Sequence, residues 1–309
     1  MYTTLNHDAS FTQKVVERLA ASWNHRVAVR QERLDLTQYC DDAIPEFPVS
    51  MVPFWDDEDF AGLADARKRR FLGAAWVAYN EKAMYLEDEI VQPLCSLLLK
   101  GRLPGAGDPR LKQVLAQIQV DEQFHILMCV DVCHCARERH ALDGYVLPEP
   151  LVGAGQRARL AQVGDDARRA AIVRLAYASI AEMSINAYLT QVSSDMTIQP
   201  LNRINTDMHR RDEAAHSTAF HEIVASVYRA LDPAGQRAFR DEIAAALDVY
   251  TTPDASAWAS ILAFLDVPGR ERTLARLDAR TRGVKLNRDY ATLRSLFDEL
   301  GIAAPPAFA

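Results

Sequence analysis

His209, Glu213 and His216 recur at i, i+4 and i+7 in the octapeptide His209-Arg210-Arg211-Asp212-Glu213-Ala214-Ala215-His216. On a helix of about 3.6 residues per turn they stack along one face. Two imidazoles and a carboxylate on one stripe, next to an apolar run, suit a transition metal held inside a helix bundle. The core of the octapeptide occurs again at Asp121-Glu122-Gln123-Phe124-His125. A single Glu-x-x-His is weak evidence, because helical chains produce it by chance. Here each copy follows an Asp, and each is preceded one helix earlier by a lone glutamate on an apolar stripe, Glu87 and Glu182. Glu122 follows Glu87 by 35 residues (122 − 87), and Glu213 follows Glu182 by 31 (213 − 182). The chain therefore has two similar halves, each supplying Glu and then Glu-x-x-His. That order is the sequence form of a carboxylate-bridged dinuclear metal site in a ferritin-like bundle.

The residue types follow from the chemistry. Carboxylates are hard anionic ligands that can bridge two cations, and neutral imidazole helps to select iron or manganese over magnesium. Unpaired carboxylates on an apolar stripe are costly, and a dinuclear cation relieves that cost for all four. Asp121 and Asp212, which precede the two motifs, are expected to accept the outer N–H of a ligating histidine, each from the opposite helix. The bland alternative makes them ordinary polar flanks. His209 is surplus to a six-ligand pattern, and spacing alone leaves it either a seventh ligand or a buried helper. Cys129, Cys133 and Cys135 with His134 imitate a soft-metal cluster. Cys135 points away from the face shared by the other two, so core packing explains them better. Tyr79, Tyr85, Tyr177 and Tyr188 fall near the proposed site in helical register and read mainly as packing residues, with one available to line a pocket.

Helices must position these residues, and the composition favours them. Glycine (13) and proline (14) are scarce in 309 residues, while Ala, Leu, Arg, Glu and Asp dominate. Amphipathic patterns predict helices over about 10–33, 64–100, 109–140, 166–195, 200–231 and 233–250. Shorter ones are predicted over 254–265, 268–282 and 287–300, and Ala303 to Ala309 reads as irregular. The three prolines within 43–55 exclude helix there, yet the large apolar side chains between them should pack on the body. Asp143 through Gly155 reads as a loop. No linker divides the chain, so the expectation is one all-α domain over residues 1–309, a ferritin-like bundle with additional flanking helices.

The net charge of −7, without a polybasic run, argues against nucleic acid and anionic membranes as partners. No run of about 18 apolar residues is present to span a bilayer. The N-terminus, with Asn6, His7 and Asp8, lacks a charged-then-apolar leader. Five cysteines, three of them bunched, do not suggest a disulfide scaffold. A cytoplasmic protein with reduced thiols is expected. No flavin fingerprint or phosphate loop is visible, so electrons are expected from an external donor.

On these residues the sequence resembles the di-iron amine N-oxygenases typified by p-aminobenzoate N-oxygenase. The matching stretches are Pro48 to Phe54, Tyr79-Asn80-Glu81-Lys82, Val120 to His125 and Ala181 to His216. The last contains Glu182, Ile185-Asn186-Ala187, Asp195, Thr197-Ile198-Gln199-Pro200 and the opening octapeptide. The resemblance covers roughly residues 45–230. It implies that Glu87, Glu122, His125, Glu182, His209, Glu213 and His216 all hold iron, which moves His209 into the ligand set. It also implies two Fe ions (Mn as a substitute), O2 as co-substrate, an external reductase and a homodimer. The implied reaction carries a small-molecule amine through hydroxylamine and nitroso to nitro. Lys82 stands where the family type has an arginine expected to hold a substrate carboxylate. Lysine keeps the charge and loses the bidentate fork, so the amine is expected to differ, as another aryl amine, an amino acid derivative or a carrier-bound amine. Substrate contacts are expected at Lys82, Tyr79 and Asn186. The alternatives are another di-iron oxidation, such as C–H hydroxylation or desaturation, and a non-catalytic iron-binding bundle.

Overall fold

The computed structural model describes residues 9–31, 36–286 and 289–303. The expectations for the leader region, for the start of the last helix and for most of the C-terminal tail fall outside them. Among the described residues the structure is helical, without strands.

Four long elements form the bundle. The first is a continuous run of α3 (Asp65–Tyr85), a π-helical turn (Leu86–Val91) and α4 (Gln92–Leu99). The others are α5 (Pro109–His140), α7 (Ala167–Ser193) and α8 (Pro200–Ala230). The α3–α4 run packs on α5, α5 on α8, α8 on α7, and α7 on the π turn and α4, which closes the ring. Around it, α1 (Ala9–Arg26) lies over α5 and α8, and α6 (Leu151–Val163) and α9 (Pro233–Thr251) cover α7. α10 (Ser256–Phe264) covers α3, α11 (Arg270–Thr281) packs on α10 and on the short α2 (Glu58–Ala61), and α12 (Ala291–Leu300) seals α7 and α8.

Local chemistry explains the starts. Asp108 accepts hydrogen bonds from the amides of Arg110 and Leu111, and Asp166 does the same for Arg168 and Arg169. Asp232 accepts from Gly235 N–H, with Pro233 in the first turn. The proline-rich connection buries Phe47, Val52 and Phe54, and Phe54 meets Phe60, Phe71 and Trp258 edge-on. Gln199 ties it down, because its side-chain amide donates to the Ile44 carbonyl and its backbone N–H to that of Pro45.

Three features depart from expectation. The helix predicted over 10–33 ends at Arg26, where Val27 turns extended ahead of a short 3-10 turn over Ala28–Arg30. The 143–155 segment is a loop only as far as Pro150, after which α6 begins. Gly153 and Gly155 belong to that helix for close packing: a Cβ at 153 would collide with the Tyr85 ring, and one at 155 would crowd Val249 and Tyr177. The predicted 64–100 helix is continuous but widens at Leu86–Val91, where Gln92 N–H bonds to Glu87 C=O, five residues back. Pro93 explains the widening. It has no N–H to give, and its ring would meet the Glu89 carbonyl four residues back in a regular helix. A π turn moves that carbonyl aside.

The core is split along the bundle axis. One apolar cluster gathers Leu94, Leu98, Leu115, Leu175, Phe220 and Phe239. A second gathers Phe54, Phe71, Trp76, Val132, Val192 and Leu201. Polar side chains from the middle of α5, α7 and α8 fill the layer between them.

Pro93→Ala should let the π turn close into α-helix, raising stability by roughly 1–3 kcal/mol and slowing amide exchange over 86–92. If melting temperature and exchange both stay unchanged, Pro93 does not maintain the turn.

Candidate metal centre

The polar layer is built one residue at a time from the four elements. The π turn presents Glu87, α5 presents Glu122 and His125, α7 presents Glu182, and α8 presents His209, Glu213 and His216. None of the seven is more than 3% exposed. Thus the structure brings together every sequence-predicted ligand.

Their atoms converge. His209 Nε2 lies 3.0 Å from Glu87 Oε1 and 3.3 Å from Glu213 Oε1. His125 Nδ1 lies 3.2 Å from Glu122 Oε2 and 3.4 Å from Glu213 Oε1. His216 Nδ1 lies 3.0 Å from Glu122 Oε1, 3.3 Å from Glu213 Oε1 and 3.8 Å from Glu182 Oε2. Glu122 thus offers one oxygen toward each half of the layer. The His125 and His209 rings stack at 4.1 Å. Two overlapping groups have ligand atoms within 4.8 Å of one another: Glu87, His125, His209 and Glu213, then Glu122, His125, Glu213 and His216.

The outer faces of two histidines are engaged across the bundle. Asp212 of α8 lies 3.3 Å from His125 Nε2, and Asp121 of α5 lies 3.2 Å from His216 Nε2. A carboxylate can only accept, so each Nε2 carries a proton, and in the neutral ring, the form a metal binds, Nδ1 would present its lone pair inward. This crossed pairing joins α5 to α8.

Little of this proximity is hydrogen bonding, although His125 Nδ1 and Glu122 Oε2 do pair at 3.2 Å. Both oxygens of Glu87, Glu122 Oε1, Glu182 Oε2, Glu213 Oε2, His209 Nε2 and His216 Nδ1 are buried without a hydrogen-bond partner. Buried polar atoms are rarely left so, and these all belong to one layer. Without a cation, burial holds Glu182 well above the ordinary carboxylate range and Glu87 above it. Burial acts on Glu122 and Glu213 too, but the neighbouring imidazoles outweigh it and hold both below that range. Burial alone would strip protons from the three histidines, yet the carboxylates hold all three well above the ordinary imidazole value. Protons shared within the layer do part of what cations would do. Two divalent cations would balance four carboxylates and use the orphaned atoms, so the donor set fits a dinuclear site.

A cavity of about 140 Å³ is lined by Tyr79, Lys82, Leu86, Ala181, Tyr188 and Trp258. Ala83 and Ile185 also line it, one turn from Glu87 and Glu182 on the same helix faces, so the cavity neighbours the layer. Tyr79 Oη is buried without a partner, and burial, then Tyr188, Cys129 and Glu87, push its phenol well above its ordinary value. Lys82 sits 3.9 Å from Asp254 where the cavity meets an outer cleft of about 420 Å³. Asn186 is elsewhere, in a cleft with Ser217 and Thr292. A cleft of about 540 Å³ near Thr12, Arg110 and Ser226 contains none of the seven groups. Tyr85 bonds Glu149, while Tyr177 is core. Cys129 and Cys133 are buried and Cys135 half-buried, all as free thiols, with burial pushing Cys129 up to about 12.

Sequence reasoning missed Asp254, Trp23 and Ala28. Trp23 donates to Asp121, and the Ala28 amide donates to Asp212. Asp254 is capping-like before α10, accepting from Ser256 N–H, and its pairing with Lys82 had no spacing to betray it.

Residues 9–301 match the family described as p-aminobenzoate N-oxygenase AurF. A 4-aminobenzoate N-oxygenase of Streptomyces thioluteus is 30% identical over 289 residues, covering 92% of this chain and 85% of that protein.

Glu182 Oε2 is buried without a hydrogen-bond partner, and an orphaned polar atom destabilises the cation-free fold. Glu182→Met should therefore raise the unfolding free energy of the metal-free protein by about 1–4 kcal/mol. Chemical denaturation measures this, and a loss of stability would mark Glu182 as a structural group.

Proposed function

The chain belongs to the p-aminobenzoate N-oxygenase AurF family, and from that premise we propose that it is a non-haem di-iron N-oxygenase of a small primary amine. The observation that carries this reading is the convergence of three imidazoles and four carboxylates in one buried layer. Glu87, Glu122, His125, Glu182, His209, Glu213 and His216 would hold the two irons. When bound, the iron pair supplies the means to activate O2 with electrons delivered by an external reductase.

The remaining chemistry belongs to the chain's own residues. Asp121 and Asp212 hold His216 and His125 in the tautomer that faces inward. The apolar clusters on both sides exclude water from the layer. The aromatic cavity beside Glu87 and Glu182 suits a flat amine, with Tyr79 Oη available for one polar contact. Lys82 at its outer end offers a point charge to an anionic substituent, partly offset by Asp254. Asn186 lines a different cleft, so the proposed substrate contacts are Tyr79 and Lys82.

No helix among the described residues is long and apolar enough to cross a membrane. We read the chain as a single domain acting as a cytoplasmic homodimer in specialised metabolism.

The test is single turnover of the iron-loaded, chemically reduced protein with 18O2 and a panel of aryl and aliphatic amines, read by mass spectrometry. At least one aryl amine should gain 18O on nitrogen. Oxygen inserted only into carbon would indicate a hydroxylase instead. Iron that cycles while no amine gains oxygen would sink the reading.

A further inference from the structure

The two aspartates that brace the histidines are themselves held by one short segment at the end of α1. The Trp23 indole N–H lies 3.0 Å and 2.9 Å from the two oxygens of Asp121. Trp has a single donor, and Asp121 shares it between both oxygens, which pins the carboxylate plane against the indole edge. Asp121 Oδ2 then meets His216 Nε2 at 3.2 Å. Asp121 is 1% exposed, so water has little access to replace the indole. Five residues on, the Ala28 backbone N–H donates to Asp212 Oδ2 at 3.0 Å, and Arg26 Nη1 lies 3.6 Å from Oδ1. Asp212 Oδ2 meets His125.

One segment thus braces both halves of the layer by different chemistry, an indole on the His216 side and main chain on the His125 side. We infer that Trp23 is a positioning residue for one metal position alone, holding Asp121 so that His216 presents Nδ1 inward. This rests on the two-metal reading above. Partners of a ligating histidine typically change metal affinity by about 10–100-fold when removed. Trp23 stands one step further out, and its loss frees Asp121 to rotate away. The His125 side keeps the Ala28 amide, which no side-chain substitution removes.

The test is titration of metal-free wild type, Trp23→Phe, Asp121→Asn and the double variant with Co(II), followed by ligand-field absorption. Wild type should take two equivalents. Trp23→Phe should bind one of them about tenfold or more weakly, with an altered band for that equivalent and the other within twofold of wild type. In the Asp121→Asn background the same change should add nothing further. The inference is overturned if Trp23→Phe leaves both affinities within twofold, or weakens both together as general loosening of α1 would. Should Trp23→Phe fail to fold, Asp121→Asn alone must weaken one equivalent and spare the other, and equal weakening overturns the inference. Fewer than two equivalents in wild type would remove the two-metal reading itself, before any variant is compared.

Discussion

Removing a carboxylate from water costs several kcal/mol unless a cation or hydrogen-bond donors replace the solvent. Glu87, Glu122, Glu182 and Glu213 are all buried in one layer, and several of their oxygens have no donor. Among the described residues no arginine or lysine is paired with them there; their neighbours are three histidines. The layer therefore depends on protons or on metal, and the rest of the fold serves to hold it in place. Apolar clusters above and below keep water out, so the fold must be stable enough to carry a destabilising centre.

The bundle supplies rigidity along its axis, and the inner layer is joined across it by side chains. Asp212 on α8 reaches His125 on α5, while Asp121 on α5 reaches His216 on α8. The end of α1 locks both contacts from outside. On the opposite side the π turn sets Glu87, and its cavity-facing neighbour Leu86 borders the space open to a small molecule. Site and pocket thus share one local distortion of the helix, itself demanded by Pro93. His209, stacked on His125, adds an imidazole beside Glu87 that the repeated Glu and Glu-x-x-His pattern does not contain.

What could be read from sequence was whatever helical periodicity carries. The two Asp-Glu-x-x-His copies, the lone glutamates and His209 fall on stripes that a 3.6-residue repeat predicts, and the structure places all seven in one layer. Periodicity does not register a one-residue widening, so the π turn stayed hidden although Pro93 was its signal. The loop expected over 143–155 ran too far because the reason for Gly153 and Gly155 in a helix, close contact with Tyr85, Val249 and Tyr177, lies on other helices. Trp23 and Asp121 are 98 residues apart, joined only by the docking of α1. Asn186 lies one turn from Glu182, yet it faces another cleft.

The central claim is that this layer holds two interacting metal ions. Mössbauer spectroscopy of the protein loaded with 57Fe and oxidised in air tests it most directly. The account predicts two ferric ions per chain, antiferromagnetically coupled to a diamagnetic ground state, with two quadrupole doublets of unequal parameters reflecting the extra His209. A single magnetically isolated ferric ion per chain would contradict it.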